Sequence, residues 1–144
     1  MADIAFLNVD LDVESDHPLD ALVADLGEDV VVLHHGRARG LHVASFETAD
    51  DAKSAEATIL KFCRLLENLS DEARGVWEGC CTRTLDIGFD SGDSPSSLRS
   101  VLHPGTVKRV AELGAAITVT IYARRPGDAA SSADAVDRVG GSPE

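Results

Sequence analysis

Residues 4–14 alternate between apolar and polar: Leu7, Val9, Leu11 and Val13 point one way, and Asn8, Asp10, Asp12 and Glu14 the other. A period of two with one apolar face predicts a half-buried strand. The period then changes. Leu19, Leu22, Val23 and Leu26 fall at i, i+3, i+4 and i+7, the stripe of a short helix. Asp16 is placed to cap that helix, Pro18 suits its first turn and Gly27 its end. A continuous apolar run at 30–33 predicts a strand, and 41–46 is predicted as a second short strand. The segment between them, His34 to Gly40, carries Gly36 and Gly40 and reads as the hairpin connection. The longest helix is predicted over 52–69, with Ile59, Phe62, Cys63, Leu66 and Leu69 on its buried face.

Residues 70–79 read as a loop. Alternation returns over 82–89, with Leu85, Ile87 and Phe89 opposed to Thr82, Thr84 and Asp86. A Ser-, Asp- and Gly-rich loop covers 88–104, a short helix 106–113 stops at Gly114, and 116–122 is the last strand. In that strand Ile117, Val119 and Ile121 oppose Thr118, Thr120 and Tyr122. The order β-α-β-β-α-β-α-β predicts an α+β fold. The expected form is a ferredoxin-like split β-α-β antiparallel sheet with helices on one face, extended by an extra helix and strand.

Length and charge narrow the function classes. The 144 residues suffice for one core, placed at 3–123. The remainder, 124–144, is rich in Ala, Ser, Gly and Asp, has no aromatic residue, and is expected to be a disordered tail. The formal net charge is -12, and residues 1–36 hold nine acids and no Lys or Arg. Such a surface repels phosphate backbones and anionic lipid, so neither nucleic acid nor membrane is expected as a partner. No apolar run is long enough to span a bilayer, and residues 1–10 lack the basic region of a secretion signal. The expected setting is therefore the cytoplasm, with Cys63, Cys80 and Cys81 as thiols. The sequence specifies no oligomeric state.

The segment Val107…Val110-Ala111-Glu112-Leu113-Gly114-Ala115-Ala116-Ile117-Thr118-Val119-Thr120-Ile121-Tyr122 resembles the C-terminal signature of the domain-of-unknown-function 4279 family. The similarity extends in outline over residues 4–122, through the early strand, the helix closing on Leu26-Gly27 and the central helix at 59–69. The chain departs from the family pattern where a Trp opens the strand before the central helix: that strand here is Leu41-His42-Val43-Ala44-Ser45, and the one Trp is Trp77. The resemblance implies a small bacterial protein with no established catalytic activity, and no site residue carries over from it.

Candidate chemistry is sparse. His34, His35 and His42 suggest a metal site, but consecutive histidines on a strand point to opposite faces, leaving His35 and His42 to face each other across the hairpin. Asp90-Ser91-Gly92-Asp93-Ser94 looks like a calcium loop but lacks its twelfth-position Glu, having Val101 there. Cys80 and Cys81 sit near Arg83, which would lower a thiol pKa on close approach. No nucleophile elbow, no Gly-rich phosphate loop and no C-x-x-C pair occurs. No catalytic residue, metal or cofactor is expected. Trp77, placed in a loop, is expected to fold back on the core.

What the pattern does predict is a polar second face for the sheet. With Leu7, Val9, Leu85, Ile87, Ile117 and Val119 under the helices, the opposite face carries Asp10, Asp12, Thr82, Thr84, Asp86, Thr118, Thr120 and Tyr122. The expected function is a non-enzymatic interaction domain that engages a basic protein partner through this acidic, Thr-lined face. The alternative is a ferredoxin-like regulatory module that senses a small molecule at the 88–104 loop.

Overall fold

The computed structural model describes residues 2–50 and 53–124. In chain order these form β1 (Ala5–Ser15), α1 (Asp20–Leu26) with a 3-10 turn (Gly27–Asp29), β2 (Val30–Ala38), β3 (Leu41–Thr48), α2 (Ala55–Glu67), α3 (Asp71–Glu78), β4 (Thr82–Asp90), α4 (Pro104–Glu112) and β5 (Ala116–Tyr122). The strands make one sheet in the order β2-β3-β1-β4-β5. The fold is α+β, as the alternating periods predict.

The sheet is mixed rather than antiparallel throughout. β2, β3, β1 and β4 pair antiparallel with their neighbours, whereas β5 lies parallel to β4. The cause is the connection: α4 carries the chain back along the sheet before β5 begins, and a strand that follows such a crossover runs parallel to the one before it. The five-strand order thus differs from the four-stranded ferredoxin-like sheet.

Several local expectations are also corrected. α1 starts later than predicted, with Leu19 rather than Asp16 at its N-cap. β2 runs on through His34, His35 and Arg37, so the hairpin turn is only Arg39-Gly40, both with positive φ. The 70–79 stretch is helix α3, started by the Ser70 hydroxyl accepting from the Ala73 N–H at 3.2 Å. The 124–144 tail expectation falls, from residue 125 on, outside the described residues. Arg124 itself is placed, donating to both carboxylate oxygens of Asp93 at 2.7 and 2.6 Å.

The helices lie on one face of the sheet around a single core. Val9, Leu11, Val13, Phe46, Leu85 and Ile87 from the strands meet Leu22, Ile59, Phe62, Leu66, Trp77 and Val110 from the helices. Two predicted core residues stay outside it. The β1–β4 register slips between Phe6 and Asn8, so Leu7 is the unpaired residue of a bulge and is 41% exposed. Phe6 takes the inward place, its ring edge-on to Phe89 at 5.9 Å between centroids. Val119 is 56% exposed, because α4 packs on α2 and leaves the far half of β5 uncovered. Arg109 of α4 holds that packing with a two-pronged bond to Glu67 of α2, at 2.9 and 2.7 Å.

Candidate functional site

Parity and register together assemble the face opposite the helices. On β1, Val9, Leu11 and Val13 are buried in the core, so Asn8, Asp10, Asp12 and Glu14 point away from it. Pairing with β4 sets Asp10 directly opposite Asp86, Asp12 opposite Thr84, and Glu14 opposite Thr82. Pairing of β4 with β5 adds Thr118 beside Asp86, and Thr120 beside Gly88. All eight predicted face residues therefore lie on the outer side, with Tyr122 reaching back over Gly88.

β3 supplies residues that were not predicted for this face. Phe46 is in the core, which turns Ser45 and Glu47 outward. The alternation about Phe46 was the available signal, but Leu41 and Val43, apolar residues of the same parity as Ser45, mask it. Asn8 ties the two strands together: its amide donates to Asp10 at 3.0 Å and to Glu47 at 2.5 Å. Thr120 donates to Asp86 at 2.7 Å, and Thr82 to Glu14 at 3.2 Å. At the rim, Arg39 pairs with Glu14 at 2.5 Å.

The electrostatics of this face are unusual. Opposed residues on adjacent strands bring their Cβ atoms to about 5 Å, where like charges repel. Asp10 is half-buried, and its pKa is raised to about 7, first by burial and then by the charges of Glu47, Asp12 and Asp86. Among the described residues, the charged neighbours that shift it are all acids. Burial also raises Asp12; a Ser45 hydroxyl bond opposes the rise, and the charges of Asp86 and Glu14 add to it. The Tyr122 phenol is raised by burial and by Asp86, Asp10 and Asp12. The carboxylates thus repel one another, and a cation arriving from outside would relieve them.

The other candidates resolve differently. His35 lies opposite Ala44, not His42, and contacts Asp20 at 3.2 Å, while His42 lies opposite Arg37 and bonds to it at 2.9 Å. Among the described residues no group of three or more His, Cys, Asp or Glu side chains is placed to hold a metal ion. The Asp90 loop is occupied structurally: Asp93 pairs with Arg124 and its N–H donates to the Ala2 carbonyl at 2.8 Å, while Gly92 packs against the Asp3 backbone where no Cβ would fit. Cys80 is buried, and burial outweighs Arg83 to push its thiol up to about 11, the reverse of activation. Trp77 is a helical residue of α3, only 3% exposed, and its indole donates to the Leu113 carbonyl at 3.0 Å.

On the helix side, an apolar groove of about 480 Å³ lies between β4, β5 and the 91–103 loop. Phe89, Leu98, Leu102, Ile117, Val119 and Ile121 are among the apolar residues that line it. It adjoins the loop singled out as a small-molecule site, and its volume lies in the range of ligand pockets.

No helix among the described residues is long and apolar enough to cross a membrane. Comparison with protein-family models, with curated proteins and with solved structures finds no match to this chain.

Proposed function

We propose that this chain is a non-enzymatic interaction domain whose outer sheet face, built on Asp10, Asp12 and Asp86, engages a basic protein partner. The observation that carries this reading is the Asp10–Asp86 pairing. Two carboxylates stand opposite each other at the centre of the sheet, with Asp12 and Glu47 beside them and a pKa near 7 for Asp10. In the free protein the bonds from Asn8, Ser45 and Thr120 offset only part of the cost, since opposed like charges destabilise a sheet. A partner bearing Lys or Arg converts the repulsion into attraction, and the acidic field of the whole molecule steers its approach. Thr82, Thr84, Thr118 and Thr120 frame the carboxylates with hydroxyls that both donate and accept.

The test uses an oligolysine peptide as the probe. The wild-type chain is expected to bind it with an affinity that falls as salt rises. Asp12→Asn with Asp86→Asn is expected to weaken that binding at least about tenfold. Each Asn retains the oxygen that accepts from Ser45 or Thr120, so the variant keeps those bonds. Unchanged affinity in the double variant would contradict the reading.

A second reading is supported by the apolar groove. There the chain would be a regulatory module taking a small apolar molecule beside the 91–103 loop. It belongs with a ferredoxin-like reading of the first six predicted elements, supported by the antiparallel order β2-β3-β1-β4; α3 and the parallel β5 depart from that layout. Protection of Val119 and Ile121 by a small ligand, with no change at Asp10, would favour it over the first.

A further inference from the structure

The two edges of the sheet are built differently. β2, at one edge, has a register slip between Val32 and His34 and carries His34, His35 and Arg37, features that discourage another strand from adding on. β5, at the other edge, has none of these. It is seven residues long, AITVTIY, with no charge, no Pro, no Gly and no bulge in its pairing with β4. In a chain of net charge -12 it is an uncharged line. Its outer backbone edge has no strand partner among the described residues. Val119 and Ile121 stand 56% and 65% exposed on its helix side, beside Leu98, which is 42% exposed. Such an edge is a template for a further strand.

The sequence of β5 says which strand. Ile117-Thr118-Val119-Thr120-Ile121 reads the same in both directions. An antiparallel pair about a two-fold axis at Val119 sets Val119 against Val119, Ile117 against Ile121, and Thr118 against Thr120. Residues directly opposite in an antiparallel pair share a face, so the apolar residues would meet on the helix side and the threonines on the outer side. β-branched and Thr–Thr cross-strand pairs are among the favourable ones. We infer that the occupant of this edge is a second copy of the same chain, joined β5 to β5 in a two-fold dimer with a continuous ten-stranded sheet.

Charge is consistent with that occupant. Asp86, on β4, is one strand in from the edge. Across the junction the two Asp86 residues would stand three strand spacings apart and two residues offset along the strands, about 16 Å. That exceeds the Debye length of about 8 Å at physiological ionic strength, so their repulsion is largely screened. The axis would stand perpendicular to the sheet, so the two acidic faces would lie side by side and present a doubled platform to one partner or two.

Sedimentation equilibrium of the full chain tests this. The expected mass is about twice the 15.2 kDa of one chain, with association strengthened by added salt, the opposite salt response from oligolysine binding. Val119→Lys, which sets two ammonium groups at the axis, is expected to weaken the dimer at least about thirtyfold while circular dichroism stays unchanged. In a Cys81→Ser background, which removes the exposed native thiol, Val119→Cys is expected to cross-link to itself under mild oxidation. Opposed strand residues place their Cα atoms about 4.5–5.5 Å apart, within disulfide reach. A monomer up to submillimolar concentration, a dimer indifferent to Val119→Lys, or no cross-link at Val119→Cys would overturn the inference.

Discussion

Trp77→Ala is expected to cost about 3–5 kcal/mol, the largest loss from any single substitution considered for this chain. Trp77 sits on α3, a helix that packs on α1, and its ring fills the end of the core. Truncation removes the indole's buried area and opens a cavity. It also strands the Leu113 carbonyl, which accepts the indole N–H at 3.0 Å, and unpaired buried acceptors cost about 1–3 kcal/mol. The Arg83 guanidinium, 5.7 Å from the ring centroid, loses the ring beneath it. Arg83 remains held by the carbonyls of Trp77, Cys80 and Gly114 at 3.0–3.2 Å, so the loop joining α3 to β4 should keep its path. Trp77→Phe retains most of the apolar volume and is expected to lose less than half as much. Urea unfolding followed by circular dichroism gives both values, and a loss below about 1 kcal/mol for Trp77→Ala would contradict the placement.

Asp10→Asn is expected to stabilise the free protein above pH 7 and to leave it unchanged near pH 4. The sign follows from proton binding. Asp10 has a folded pKa of about 7 against 3.8 for an ordinary aspartate. Between those two pH values the native state holds a proton that the unfolded state has released, so stability falls as pH rises through the window and levels off above it. Asp12, also raised, acts in the same direction. Because Asp10 is only half-buried, solvent screening reduces the nominal cost, and a gain of about 1–2 kcal/mol at pH 8 is the expected size. Two other carboxylates act in a lower window. Burial opposes ionisation of Glu56, but bonds from the Thr106 hydroxyl and the His103 N–H outweigh it and hold the carboxyl below its usual value. Glu67 is lowered first by its bond from Arg109. Their contribution is present above the ordinary carboxylate pKa and is lost as pH falls through their folded values, so it does not mask the Asp10 slope. Thermal unfolding of wild type and Asp10→Asn from pH 4 to 8 measures the difference. Parallel curves would contradict the assignment.

The elements whose function depends on simple alternation were legible in the sequence. β1, β4 and β5 have one apolar and one polar side, and those sides fix which way Asp10, Asp12, Asp86 and Thr120 point. Features set by pairing between distant segments were not. Leu7 keeps the apolar parity of β1, yet a bulge formed against β4 turns it out and brings Phe6 in. Val119 keeps the parity of β5, yet none of the described helices covers it. α3 was hidden because its Ser70 cap precedes only two buried residues, Ala73 and Trp77, too few for a stripe. Glu47 joined the acidic cluster through the β1–β3 register, which a single strand's pattern does not encode. The mirror order Ile117-Thr118-Val119-Thr120-Ile121 acquired meaning only once β5 stood at the sheet edge.

In the proposed role, a basic partner relieves the repulsion among the carboxylates of the outer face. A carbon-13 NMR titration of the Asp10 carboxyl, in the free protein and with saturating oligolysine, tests it most directly. The predicted result is an apparent pKa of about 7 in the free chain, falling toward the ordinary carboxylate range when the peptide is bound. An ordinary value near 4 in the free chain, or a raised value that the peptide leaves in place, would contradict it.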